Sequence, residues 1–105
     1  MSILQSAVDG RKHQHIYGTV ERDGSSIAGE SFRCRRLQEG TYLIEFDQPF
    51  DKPPVPVCTV YGPPWITFNL SSAIIEASQH HFVCITSSPD RPVDSGFSFI
   101  VFGDI

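Results

Sequence analysis

The sequence predicts an all-β protein, a single antiparallel β-sandwich of about six or seven strands. Three features of the sequence support this prediction. Apolar and polar residues alternate with a period of two in several segments, which places their side chains on opposite faces of a strand. No long window carries the apolar stripe of an amphipathic helix. Turn-forming residues separate the alternating segments by about 8 to 12 residues, which is typical of sandwiches and barrels.

Two strands are predicted before residue 40. The segment HIYGTVER, 15–22, alternates between apolar and polar positions. The following segment DGSSIAGE, 23–30, is rich in the Asp, Gly and Ser residues that favour a turn. The segment SFRCRRL, 31–37, alternates again. We therefore expect a strand, a turn and a second strand over 15–37.

The strongest alternation lies in TYLIEFD, residues 41–47, where Tyr42, Ile44 and Phe46 share one face. These side chains are large and apolar, so that face should be buried in the core. The segment therefore predicts a strand with one core face.

Four prolines interrupt the chain between residues 49 and 56. Proline has no N–H for a ladder, so this segment cannot continue as a central strand. We expect it to cross from one sheet to the other, with Phe50 filling the edge of the sandwich. The next strand should begin near Val55 and lie at a sheet edge, because Pro56 lacks a donor.

Three further strands are predicted in the second half. The segments NLSSAIIEAS, 69–78, and HFVCITS, 81–87, form a predicted hairpin. The segment GFSFIVFGDI, 96–105, is apolar at both odd and even positions. A strand that is apolar on both faces should be central or covered on both sides.

Length and charge limit the domain organisation and the partners. A chain of 105 residues fits one domain. Residues 1–14 lack periodicity and are predicted as a flexible arm, with the sandwich over 15–105. The net charge is −4, and the only basic cluster is Arg33, Arg35 and Arg36, so we expect no nucleic-acid partner. No apolar run reaches the ~20 residues of a membrane span, so we expect no membrane insertion.

The three cysteines, Cys34, Cys58 and Cys84, are widely spaced and form no CxxC pair. A disulfide scaffold or a zinc site is therefore not expected, and the cysteines are interpreted as reduced, inert core residues. The N-terminus lacks the pattern of a signal peptide, so we expect synthesis in the cytoplasm.

The strand at 41–47 and the proline crossing form a pattern that has a known counterpart. Its residues are Ile44, Phe46, Pro49, Phe50, Pro53, Pro54 and Val57. This pattern resembles the strand and crossing of the H-type lectin family. The sequence G-x-Y-x-I-x-F, here 40–46, and the closing segment GFSFIVFGD, 96–104, are similar to tail-fibre modules of phages. The resemblance covers about residues 16–103.

The resemblance implies a function as well as a fold. H-type lectins are antiparallel sandwiches that form trimers and bind N-acetylgalactosamine-type sugars between protomers, and tail-fibre modules also form trimers and often recognise cell-surface glycans. The resemblance therefore implies a homotrimer that recognises a glycan or a cell-surface receptor, as part of a virion or phage-like particle. No short motif matches the sugar-binding residues of the lectins, so none of their roles is transferred.

The segment VYGPPWITF, 60–68, contains the best candidates for a ligand site. Tyr61 and Trp65 flank a Gly-Pro-Pro sequence, and an aromatic side chain on a rigid loop can stack on a sugar ring at little entropic cost. The alternative is that Trp65 packs in the core or between subunits.

Five further residues are candidates for ligand binding. His80 and His81 lie in the predicted hairpin turn, with one side chain on each side, and imidazole can hydrogen-bond a sugar hydroxyl. Asp90 and Arg91, together with Asp94, lie on the long connection 87–96 and suit charge-assisted hydrogen bonds. The alternative for all of these residues is a solvated surface loop.

His13 and His15 would lie on one face of a strand. Three copies around an axis would then offer six imidazole nitrogens to one transition metal, whereas the alternative is that both belong to the flexible arm. No cofactor is expected.

Catalysis is not expected. The sequence has no GxSxG, no HExxH and no Gly-rich phosphate loop. Asp47 and Asp51 would serve glycoside cleavage only if they faced each other across a cleft. The sequence thus predicts a non-enzymatic recognition module for a glycan or a cell surface. The alternative is a structural fibre or assembly domain without a ligand of its own.

Overall fold

Alternating residues fold into two four-stranded antiparallel sheets in the computed structural model, which describes residues 13–105. The elements are β1 (His13–Val20), β2 (Ser26–Gly29), β3 (Phe32–Gln38), β4 (Thr41–Phe46), β5 (Val55–Tyr61), α1 (Pro64–Thr67), β6 (Ser71–Ala77), β7 (His81–Ser87) and β8 (Gly96–Asp104). The first sheet has the strand order β2-β1-β8-β5, and the second has the order β3-β4-β7-β6. The predicted β-sandwich is confirmed, with eight strands in the described part of the chain.

The inner faces of the two sheets pack into one aromatic core. The predicted alternation of β4 is confirmed, because Tyr42, Ile44 and Phe46 are buried. The rings of Phe99 and Phe82 belong to opposite sheets and meet edge to face, with centroids 5.3 Å apart. The buried cluster consists of Ile16, Val20, Phe32, Tyr42, Ile44, Phe46, Phe50, Phe82, Cys84, Phe97, Phe99 and Val101.

The proline segment crosses between the sheets, as predicted. It joins β4 of the second sheet to β5 of the first. Phe50 is buried there, and its ring meets that of Phe46 at a centroid distance of 5.0 Å. β5 begins at Val55 and pairs only with β8, so it is an edge strand that tolerates Pro56. The crossing therefore confirms the predicted role of the prolines.

The strand β8 is central, as its two apolar faces predicted. It lies between β1 and β5, and its inner face belongs to the core. On its outer face, Ile100 and Phe102 are exposed. Among the described residues the strand is thus covered on one face only.

The segment 23–30 is more than the predicted turn. A turn does form, with the Glu21 N–H donating to the Ser25 carbonyl at 2.8 Å and Gly24 at φ 95°. The Ser25 hydroxyl and N–H both donate to the Asp23 carboxylate, and these bonds hold the pKa of Asp23 below its usual value. The short edge strand β2 follows the turn and pairs with β1. Its four residues are all exposed, so no alternation marked it as a strand.

The helix α1 was not predicted either. It is a single turn, Pro64–Thr67, that begins directly after Pro63. Proline suits the first turn of a helix because its missing N–H would have no partner there. The Gly-Pro-Pro sequence therefore starts a helix, and Trp65 lies on that helix.

The strand β1 begins two residues before the predicted domain boundary. His13 and Gln14 pair with Asp104 and Gly103 of β8. The rest of the predicted arm, 1–12, lies outside the described residues. Within residues 13–105, no helix is long and apolar enough to cross a membrane.

Candidate functional site

A groove of about 480 Å³ opens at one end of the sandwich, where β1 and β5 end and β8 begins. It lies between the turn after β1, the start of α1 and the loop that leads into β8. Its lining residues are Glu21, Arg22, Tyr61, Gly62, Pro63, Ile66, Asp94, Ser95 and Gly96. The groove thus combines an apolar wall with charged and polar groups.

Tyr61 contributes the aromatic surface of the groove. It is the last residue of β5, pairs with Gly96 at the start of β8, and is 49% exposed. A Cβ atom on Gly96 would lie 3.0 Å from the Tyr61 carbonyl oxygen and 3.1 Å from that of Val20. Because glycine lacks this atom, the ends of β1 and β5 can approach β8 closely, which brings the Tyr61 ring beside the loop before β8.

Asp94 is a polar residue of the groove whose carboxylate is fixed by several hydrogen bonds. Its carboxylate accepts hydrogen bonds from the Arg36 Nε at 2.9 and 3.0 Å and from the Gly40 N–H at 2.7 Å. Burial raises the pKa of Asp94, but the Arg36 hydrogen bonds, the Gly40 N–H and the Arg36 charge outweigh burial, so the pKa lies below its usual value. The carboxylate is therefore ionised at neutral pH and fixed in position.

Tyr42 connects the core to the rim of the groove. Its ring is buried, and its hydroxyl donates to the Arg22 carbonyl at 2.7 Å and accepts from the Ser95 N–H at 3.3 Å. Burial, followed by the nearby Asp94 charge, raises the pKa of Tyr42. The neutral hydroxyl thus ties the turn after β1 to the loop before β8, so that both walls of the groove are anchored to β4.

Trp65 projects into solvent from α1. It is 77% exposed, and Phe68, at the end of the same helix, is exposed as well. The alternative that Trp65 packs in the core of this chain is therefore wrong. Packing between subunits stays a prediction. Trp65 does not line the groove, but it follows the lining residue Pro63 by two positions and so lies beside the rim.

His80 and His81 are far from the groove. The strand β4 starts beside the groove, where Tyr42 contacts Arg22, and its other end pairs with His81. The two histidines therefore lie at the opposite end of the sandwich. The His81 Nε2 is 2.6 Å from the Glu76 carboxylate, which closes the β6–β7 hairpin. The structure thus does not bring the two histidines together with Tyr61 and Trp65.

Asp90 and Arg91 lie on the loop before β8 but do not line the groove. The Ser88 N–H donates to the Arg91 carbonyl at 2.9 Å, which makes this part of the loop a tight turn. Arg91 instead lines a shallow depression of about 370 Å³ beside Glu39. The later residues of the same loop, Asp94 and Ser95, line the groove.

Several residues of the groove were not predicted from the sequence. Glu21 and Arg22 belong to the turn after β1, and Ile66 lies on the unpredicted helix. Their local sequence contains no motif that would have indicated a site. They lie close together because β1, β8 and β5 are neighbours in the first sheet. Asp47 and Asp51 lie exposed on the proline crossing, outside the groove.

His13 and His15 lie on one face of β1, as predicted. The His13 ring stacks on Phe102, with a centroid distance of 5.5 Å, and the His15 ring stacks on Tyr17 at 6.2 Å. Among residues 13–105 no three His, Cys, Asp or Glu side chains are grouped so that they could hold a metal ion within one chain. A metal shared between copies stays a prediction.

Comparison of the chain with models of protein families, with curated proteins and with solved structures finds no match. The resemblance to H-type lectins and tail-fibre modules therefore stays an expectation from the sequence.

Proposed function

We propose that this domain is a non-enzymatic recognition module that binds a cell-surface glycan in the groove beside Tyr61. The observation that carries the proposal is the open groove that a half-exposed tyrosine lines together with charged residues, above all Asp94 with its fixed carboxylate. A sugar ring has an apolar face that stacks on an aromatic ring and hydroxyls that hydrogen-bond to charged groups. Both kinds of partner are present in this groove.

The rigidity of the groove also favours binding. Pro63 and Pro64 restrict the backbone between Tyr61 and the helix α1, and Tyr42 anchors the other walls. A ligand that binds preformed walls orders fewer groups, so less of the interaction energy is lost. The exposed ring of Trp65 extends the aromatic surface beside the rim for a longer saccharide.

We also propose that the domain assembles into a homotrimer, as the resemblance implies. The outer face of the first sheet supports assembly. On this face the register aligns Tyr17 with Ile100 and Ile100 with Val57, and it aligns Phe102 with Val55. All five side chains are exposed. Contiguous exposed apolar surface of this kind often marks a protein interface.

The same apolar face favours a second candidate function. A structural fibre or assembly domain of a phage-derived particle needs such a face but needs no ligand in the groove. The two functions differ in their response to substitution at Tyr61, because only the recognition module loses an activity when the groove changes.

The recognition function is tested by screening the full-length protein on a glycan array and then measuring the affinity for the strongest hit by calorimetry. We expect Tyr61→Ala to weaken binding about tenfold or more, or about 1.4 kcal/mol, because the stacking surface is lost. Leu37→Ala is the control, since Leu37 is 49% exposed like Tyr61 but lies on β3 of the second sheet, outside both the groove and the apolar face proposed for assembly. Absence of any glycan ligand for the wild type, or equal losses for the two variants, would contradict the proposed site.

Assembly is tested by sedimentation velocity at micromolar concentration. We expect a trimer for the wild type and a monomer for Ile100→Lys, because a charge at the centre of the apolar face opposes its burial. Glu45→Lys, on the second sheet, is the control and should leave the trimer intact. A monomeric wild type would remove the trimer proposal but would leave glycan binding open.

A further inference from the structure

Two of the three cysteines meet between the sheets. The Sγ atoms of Cys58 and Cys84 are 3.1 Å apart. Cys58 lies on β5 of the first sheet, and Cys84 lies on β7 of the second. Because 26 residues separate them along the chain, the sequence spacing contained no sign of the pair. The prediction that all three cysteines are reduced, inert core residues did not include this contact.

The position of the pair suits a covalent link. A disulfide has an S–S distance of about 2.05 Å, so the two sulfur atoms need to approach by only about 1 Å. Both side chains already point into the space between the sheets. Among the described residues the strand β5 pairs only with β8, so a shift of β5 toward β7 disturbs the ladder with one neighbour alone.

The two thiols differ in exposure. Cys84 is fully buried, whereas Cys58 is half-buried on the edge strand. Cys58 is thus the less buried residue of the pair.

We propose that Cys58 and Cys84 form a redox-responsive site at which hydrogen peroxide produces a disulfide between the two sheets. The Cys58 thiolate attacks one oxygen of the peroxide, the O–O bond breaks, and Cys58 sulfenic acid and hydroxide form. The Cys84 sulfur then attacks the Cys58 sulfur, an S–S bond forms, and the sulfenic hydroxyl leaves as water. In total, two thiols lose two electrons and two protons, and one peroxide is reduced to two waters.

The hydrogen bonding of the pair favours these roles. The hydrogen bond between the Cys84 and Cys58 sulfur atoms lowers the pKa of Cys58 more than burial raises it, and Ser72 also lowers it. The same bond to Cys58, together with burial, raises the pKa of Cys84. Cys58 is therefore the attacking thiolate and Cys84 the resolving thiol.

Cys34 provides an internal control. It lies on β3, and burial raises its pKa to about 12. A thiol with so high a pKa is almost entirely protonated at neutral pH and reacts slowly with peroxide. The described residues also place no second cysteine in hydrogen-bond contact with it. We therefore expect Cys34 to stay reduced while the other two cysteines are oxidised.

The disulfide would make the segment that carries part of the candidate groove depend on the redox state of the two cysteines. The segment between Cys58 and Cys84 contains Tyr61 and the helix α1, and the disulfide would close it into a loop. Closing a loop of this length restricts the unfolded chain. We expect the Tm to rise by about 5–15 °C on oxidation. This inference holds whether or not the groove binds a glycan.

The test uses the full-length protein, reduced and then exposed to hydrogen peroxide. Free thiols are alkylated in denaturant, and the intact mass and the peptides are measured. We expect peroxide to lower the mass of the protein by about 2 Da before alkylation. After alkylation we expect one modified cysteine, Cys34, and a peptide that joins Cys58 to Cys84. Cys34→Ser should form the same link, and Cys58→Ser should not.

Three results would overturn the proposal. The first is that all three cysteines remain alkylatable after peroxide treatment. The second is that peroxide yields sulfinic acid or links between chains without the Cys58–Cys84 peptide. The third is that Cys34 is oxidised first. Each of these is read on the wild-type protein, so the test does not depend on the folding of a variant with a changed Cys84.

Discussion

The substitution Phe99→Ala is expected to lower the free energy of unfolding by about 3–5 kcal/mol. Phe99 lies at the middle of the central strand β8 and points into the core. Its ring meets the ring of Phe32 edge to face at 4.9 Å and that of Phe82 at 5.3 Å. Alanine would leave a cavity between the two sheets, since the surrounding rings belong to strands that cannot all move inward.

The matched control is Phe68→Ala, which removes the same side chain from an exposed position just after the helix α1, outside the apolar face proposed for assembly. Phe68 is 79% exposed, so we expect a loss of about 1 kcal/mol or less. Both values are measured by urea denaturation followed by far-UV circular dichroism. Equal losses for the two variants would show that the Phe99 side chain is not buried between the two sheets as described.

The core strands were predictable because one physical signal dominates them. In β4 every second side chain is large and buried, so the period of two is visible in the sequence alone, whereas β8 was recognised by the apolar residues on both of its faces. The prolines gave a second independent signal, because their chemistry excludes a continuous ladder between β4 and β5. Strand pairing and sheet order were not predictable, since they depend on contacts between distant segments.

The elements that were missed have weak local signals. The strand β2 has four exposed residues, and it exists because the tight turn at Gly24 returns the chain alongside β1. The helix α1 has four residues, none of them buried, so it has no apolar stripe to detect. Pro63 and Pro64 were interpreted as rigid loop residues, although proline is equally suited to begin a helix.

The candidate site was predictable only in part. Tyr61 and Trp65 were recognised by residue type and by the rigid Gly-Pro-Pro sequence between them. The histidines at 80 and 81 met the same criterion of residue type, but the hairpin places them at the opposite end of the sandwich. Asp94 was noted on its loop without being separated from Asp90. Only the fold shows that Arg36 and Gly40 hold Asp94, because those residues are more than fifty positions away.

The substitution Asp94→Ala is expected to destabilise the protein by about 2 kcal/mol and to loosen the groove. Most of this loss comes from the Gly40 N–H, which lies in a buried turn and would lose its acceptor. The pair with Arg36 adds less, because both side chains are partly exposed and water screens their attraction. Asp94→Asn keeps an acceptor for the Gly40 N–H and should cost about half as much.

The same residue should make stability depend on pH. The pKa of Asp94 is lower in the folded protein than in the unfolded chain, so its contribution is fully present above the unfolded value of about 3.9. That contribution is lost as the pH falls through the lower folded value. The free energy of unfolding, measured in urea from pH 6 to pH 3, should therefore fall more steeply for the wild type than for Asp94→Asn. Parallel curves would mean that the Asp94 carboxylate does not stabilise the loop that forms one wall of the groove.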